Sequence, residues 1–146
     1  MAEPLTSQAW VAAWLQKASH DLETAERALH AGHPITDTAA YHCHQAAEKS
    51  LKAFLASRLE PLVKTHDLMD LLTRCAAADA RFANWADRMS ELSAFGTVLR
   101  YPSVVADPTV SDVTQALQTA RQFHGFDRAI VNSPPADELA PSHPCA

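Results

Sequence analysis

Apolar residues recur at spacings of three and four along most of this 146-residue chain, a period that belongs to helices and not to strands. Trp14, Ala18, Leu22, Ala25 and Leu29, widened by Val11 and Leu15, form one stripe from about Ser7 to Ala31. Such a stripe marks an amphipathic helix lying on a core, with Ser7 as its N-cap and Gly32, followed by Pro34, as its stop. A second helix is expected from Thr36 or Asp37, either of which caps free N–H groups, to about Leu59 before Pro61. It carries two stripes: Ala40, Cys43, Ala47, Leu51 and Phe54 are apolar, and Tyr41, His44, Gln45, Glu48 and Lys52 are polar. Ala39, Ala40, Ala46 and Ala47 leave room for a neighbouring helix to approach closely.

Thr65 or Asp67 leads into a short third helix with Leu68, Leu71 and Leu72. Asp79 caps a fourth, whose stripe is Phe82, Trp85, Met89, Leu92 and Leu99, running through Gly96 to Arg100, Tyr101 and Pro102. After a loop over Ser103 to Pro108, Thr109 or Ser111 starts a fifth helix with Val113, Leu117, Ala120, Phe123 and Ile130 inward. The sum is an all-α, up-and-down antiparallel bundle of four main helices plus one short helix. It occupies residues 8–131, with an N-terminal extension at 1–7. Residues 132–146 hold four of the nine prolines and read as a disordered tail.

Composition sharpens this picture mainly by exclusion. Apolar residues make up 47% and charged residues 20%, as in a globular domain that folds without disulfides or metal. Three isolated glycines, Gly32, Gly96 and Gly125, supply neither the hairpins of an all-β domain nor a phosphate-cradling loop. The net charge of −5 rules out a globally basic nucleic-acid binder but leaves room for a local patch. Three widely spaced cysteines form no disulfide framework or CxxC site and fit a reducing cytoplasm. No signal-peptide pattern and no run of 18 apolar residues is visible, so neither secretion nor a membrane span is expected.

Four blocks in order carry a family likeness: Trp14-Leu15-x-x-Ala18-x-x-Asp21-Leu22-x-x-Ala25, Tyr41-His42-x-x-Gln45-Ala46-Ala47-Glu48-Lys49-x-Leu51-Lys52-Ala53, Lys64-Thr65-His66-Asp67-Leu68, and Leu99-Arg100-Tyr101-Pro102. Together, over about residues 8 to 130, they resemble the HEPN domain. The resemblance implies a helical bundle that commonly dimerises and is often paired with a minimal nucleotidyltransferase in toxin–antitoxin or defence-type systems. Many such proteins are metal-independent endoribonucleases, marked by an Arg followed four to six residues later by His. Here Arg100 stands at the expected place, but the next seven residues are Tyr101, Pro102, Ser103, Val104, Val105, Ala106 and Asp107. The motif histidine is missing. Metal-independent cleavage needs a base for the 2′-OH, an acid for the leaving oxygen and a cation for the phosphorane, so the loss removes an acid–base group.

The first expectation is therefore a nucleotide- or RNA-binding interaction module, homodimeric, with a nucleotidyltransferase-type partner. Its contact residues would be Tyr41, Gln45, Glu48, Lys52, His66, Arg100 and Tyr101. An atypical endoribonuclease with Arg100 as the catalytic cation, and a purely structural dimerisation module, stand as alternatives. Each candidate also has a plainer meaning: Arg100-Tyr101-Pro102 as a helix end, the polar stripe of the second helix as a solvated face with a Glu48–Lys52 pair, and residues 64–67 as a capping turn. No cofactor is implied. His42 and His44, two residues apart, lean to different faces and lack the partners that would make a metal site.

Overall fold

The computed structural model describes residues 3–62, 64–96, 102 and 106–133. Among the described residues there are five α-helices and one 3-10 segment, and no strand. The helices are α1 (Ser7–Leu29), α2 (Thr36–Ser57), α3 (Leu68–Ala78), α4 (Ala86–Ser93) and α5 (Val110–Val131). The all-α, antiparallel bundle expected from the spacing of apolar residues is the fold observed.

α1 and α2 form the long hairpin at its centre. Ser7 Oγ donates to the Ala56 carbonyl at one end, and Ile35 N donates to the Ala28 carbonyl at the other, which sets the antiparallel register. Ala39, Ala40, Ala46 and Ala47 are all completely buried, so the small-residue surface of α2 does admit its neighbours closely. The core continues into an aromatic group. Phe54 and Phe82 rings lie 4.4 Å apart, and Trp85 and Phe123 meet edge to face at 5.1 Å. Such pairs add about 0.5–1.5 kcal/mol each beyond the area they bury.

Helix ends depart from the sequence expectation where two capping residues compete. Thr6, not Ser7, caps α1 by accepting from Ala9 N, because the Ser7 hydroxyl is committed to Ala56. α1 stops at Leu29 with His30 as C-cap, three residues before the glycine read as its stop. α2 begins after Ile35 with no side-chain cap, and Asp37 Oδ1 instead accepts from Thr38 N. Asp67 caps α3 through Met69 N and Asp70 N, and Thr109 with Asp112 makes a reciprocal capping box at α5.

The largest departure is the fourth helix. Asp79 does cap there, accepting from Arg81 N, but residues Ala80–Trp85 are 3-10 and the α-helix covers only Ala86–Ser93. Gly96 thus follows the helix and does not lie inside it. Leu99, Arg100 and Tyr101, read as the end of that helix, lie outside the described residues, as does most of the Pro-rich segment read as a tail.

Candidate functional site

A polar seam along α2 positions the candidate site. His44, Glu48 and Lys52 follow one another at four-residue intervals, which puts them on one helical face. The sequence offered a solvated stripe there as the plainer meaning. In the fold His44 is buried, and Glu48 and Lys52 are only 3% and 7% exposed. Glu48 Oε2 accepts from Lys52 Nζ at 3.1 Å and lies 3.1 Å from Nδ1 of His66, which reaches back from the turn before α3. His66 itself is 75% exposed. A buried carboxylate thus holds a buried ammonium on one side and a solvent-facing imidazole on the other.

Two polar atoms of this seam, Glu48 Oε1 and His44 Nδ1, are buried without a hydrogen-bond partner among the described residues. Burial, only partly opposed by the nearby Glu48, holds His44 below the ordinary histidine range and so keeps it neutral. The opposite edge of its ring rests on Gly96. A Cβ built there would come within 2.5 Å of His44 Nε2, which explains the glycine: the His44 ring fills the space. Gly96→Ala is therefore expected to cost about 1–3 kcal/mol in thermal unfolding, as overpacking does. On a His44→Ala background that cost should largely vanish.

The other expected contact residues divide. Tyr41 and Gln45 are half-buried on the same helix, and Tyr41 meets the His42 ring edge-on with centroids 5.6 Å apart. The structure gathers Glu48, Lys52 and His66. Arg100 and Tyr101 lie outside the described residues. The turn over residues 64–67 has its plainer meaning, since Asp67 caps α3, and its neighbour His66 lies against Glu48.

A second carboxylate–histidine pair escaped the sequence reading. Asp21 on α1, nearly buried, takes His42 Nδ1 at 2.7 Å and Lys49 Nζ at 2.5 Å from α2. The signal was present: Asp21 sits three residues after Ala18 and four before Ala25, inside the apolar stripe, where an acid needs a partner. Ion pairing between α1 and α2 is its visible role. Cys43, on the apolar face, is fully buried and its thiol is pushed up to about 12 by burial, so it is an inert core residue. Among the described residues no three His, Cys, Asp or Glu side chains converge as a metal site would require. None of the described helices is long and apolar enough to cross a membrane.

The model of the HEPN domain family matches residues 11–129. Among solved structures, the chain resembles that of ST0689, described as an archaeal HEPN homologue, with 23% identity and a TM-score of 0.67. The match covers 84% of this chain and 98% of that one, a likeness of fold over nearly the whole archaeal protein. No curated protein sequence matches the chain. The match of the family model over most of the sequence, on a helical fold shared with a HEPN homologue, leads to one conclusion: this chain belongs to the HEPN domain family.

Proposed function

We propose that this HEPN protein is a nucleotide- or RNA-binding module that acts as a homodimer with a minimal nucleotidyltransferase-type partner, in a toxin–antitoxin or defence-type pair. The observation that carries the binding reading is the buried Glu48, which holds Lys52 and the exposed His66 while its own Oε1 and His44 Nδ1 stay unpaired. Burying a charged pair and leaving acceptors unmatched costs stability, and such arrangements concentrate where ligands bind. In this reading His66 contacts phosphate or base at the surface, Gln45 and Tyr41 contact sugar or base along the same helix, and Lys52 supplies positive potential from beneath. Arg100 and Tyr101 add a phosphate contact and a stacking platform, a part of the proposal that rests on sequence alone.

The test is a calorimetric titration of the full chain with ATP and with a short single-stranded RNA. Saturable binding is expected for at least one. His66→Ala and Arg100→Ala should each weaken it about tenfold, the loss of one charge-assisted contact. Unchanged affinity in both variants would place the binding surface elsewhere, and no binding to either ligand would leave the purely structural dimerisation module as the better reading.

One observation favours cleavage as a second reading. Glu48 Oε2 lies 3.1 Å from His66 Nδ1 and so orients an imidazole that is 75% exposed, the arrangement in which the other ring nitrogen can serve as a base. In that chemistry Nε2 takes the 2′-OH proton, the 2′-oxygen bonds to phosphorus, the bond to the 5′-oxygen breaks, and water protonates the leaving oxygen. Arg100 would stabilise the phosphorane. Cleavage of RNA by the purified chain, lost in both His66→Ala and Arg100→Ala, is the result this reading requires.

A further inference from the structure

The bundle carries a concave feature beside Lys52, lined by α1, the end of α2 and the connector after it. Trp10 and Trp14, one turn apart on α1, stack with ring centroids 6.2 Å apart and planes inclined by 28°. The hydrogen bond from Ser7 Oγ to the Ala56 carbonyl pins this first turn of α1 against the last turns of α2. Between them lies a cavity of about 260 Å³, walled by the two indoles, Lys52, Leu55, Pro61 and Leu62.

The usual distribution of polarity is inverted here. The Lys52 ammonium is withdrawn from water and sits 5.4 Å from the centre of the Trp14 ring. Meanwhile Trp10, Leu62 and Leu59 at the lip are 40%, 58% and 78% exposed. Leu59 has φ 60, the left-handed conformation that a side chain disfavours. It ends α2 in the position usually given to glycine: Glu60 N donates to the Leu55 carbonyl and Leu59 N to the Ala56 carbonyl. A leucine there bears backbone strain and gains little burial in return. Strained, exposed apolar residues around a cavity with one buried cation are features of a ligand site.

We propose that this cavity binds a small planar aromatic carboxylate, its ring against Trp10 and Trp14 and its carboxylate on Lys52 Nζ. An ammonium has three N–H donors, and Glu48 Oε2 takes one of them at 3.1 Å. An anionic oxygen suits another, while the indole faces suit a flat ring. The volume falls below the roughly 300 Å³ at which pockets for drug-sized ligands begin, which limits the ring system to one or two rings. Glu60, also on the wall, is exposed on the connector, where solvent screens its charge. The inference shares Lys52 with the nucleotide or RNA reading, whose other contacts lie on the His66 side.

Calorimetric titration of the full chain with indole-3-acetate, with its uncharged amide and with AMP tests the proposal. The acid should bind saturably and the amide at least tenfold more weakly, a comparison that needs no variant. Trp10→Ala, at a partly exposed position that spares the core, should weaken the acid at least tenfold. Lys52→Met should bring acid and amide to the same affinity. Absence of saturable binding, equal affinity of acid and amide in the unaltered chain, or indifference to Trp10→Ala would each overturn the proposal. Competition by AMP would assign the cavity to nucleotides and overturn it as a separate site. Failure of these probes leaves the RNA titration untouched, so the two readings fail separately.

Discussion

Glu48→Ala is expected to lower the stability of the fold by about 3–5 kcal/mol. The magnitude comes from what is left behind. Lys52 is almost wholly withdrawn from water, and it donates to Glu48 Oε2. Removing that carboxylate strands an ammonium in an apolar wall, which is far more costly than losing an exposed pair worth about 0–1 kcal/mol. His66→Ala should cost under about 1 kcal/mol, because the imidazole is mostly in water and its loss leaves Glu48 still bound to Lys52. Pairing Glu48→Leu with Lys52→Met should recover most of the stability, since neither charge is then buried. Urea unfolding midpoints read all four proteins. A loss below about 1 kcal/mol in Glu48→Ala would show that Lys52 finds water and that the seam is not held as described.

Replacement of Asp127 is expected to act in the opposite direction. Asp127 lies on α5, fully buried, with neither carboxylate oxygen hydrogen-bonded, and burial raises its pKa well above the ordinary 3.8. Its folded value lies above its unfolded value, so the native state holds the proton more tightly. Once pH rises past 3.8 the unfolded chain ionises first, and stability falls with rising pH until the folded carboxyl also titrates. Asp127→Val should therefore stabilise the protein by about 1–3 kcal/mol at pH 7, the desolvation cost of an unsatisfied polar group. The gain should shrink as pH falls toward 4. Asp127→Asn separates the two causes, because it keeps the buried polarity and removes the ionisation. The quantity to follow is the difference between variant and unaltered chain at each pH, which cancels the other carboxylates. A difference that does not change with pH would contradict the assignment.

Asp127 also shows what periodicity leaves out. It stands four residues after Phe123 and three before Ile130, squarely on the buried stripe of α5, and the pattern carries on past it as though it were apolar. Asp21 occupies the same kind of position on α1. The two acids meet opposite fates. Asp21 finds His42 and Lys49 across the hairpin, whereas Asp127 is enclosed by the core with no donor. Nothing local distinguishes them, because a partner twenty or more residues away becomes a neighbour only after the helices pack.

The fourth helix makes the same point about boundaries. Its inward residues Phe82, Trp85, Met89 and Leu92 are all buried as their spacing requires. The backbone between them changes from 3-10 to α, and the α-helix stops at Ser93. Apolar spacing records which side chains face the core but is nearly indifferent to a tighter turn, since i, i+3 contacts serve both helices.

From the sequence alone came the helix order, the class of fold, the inward residues and the family, because these depend on spacings of three and four and on motifs within single helices. Glu48 and His66 were legible there as separate candidates. Only the tertiary structure decided that the polar stripe of α2 is a buried seam, that Glu48 joins Lys52 to His66, and that Gly96 makes room for the His44 ring. Burial and pairing are properties of two surfaces meeting, and a one-dimensional pattern describes each surface before its partner arrives.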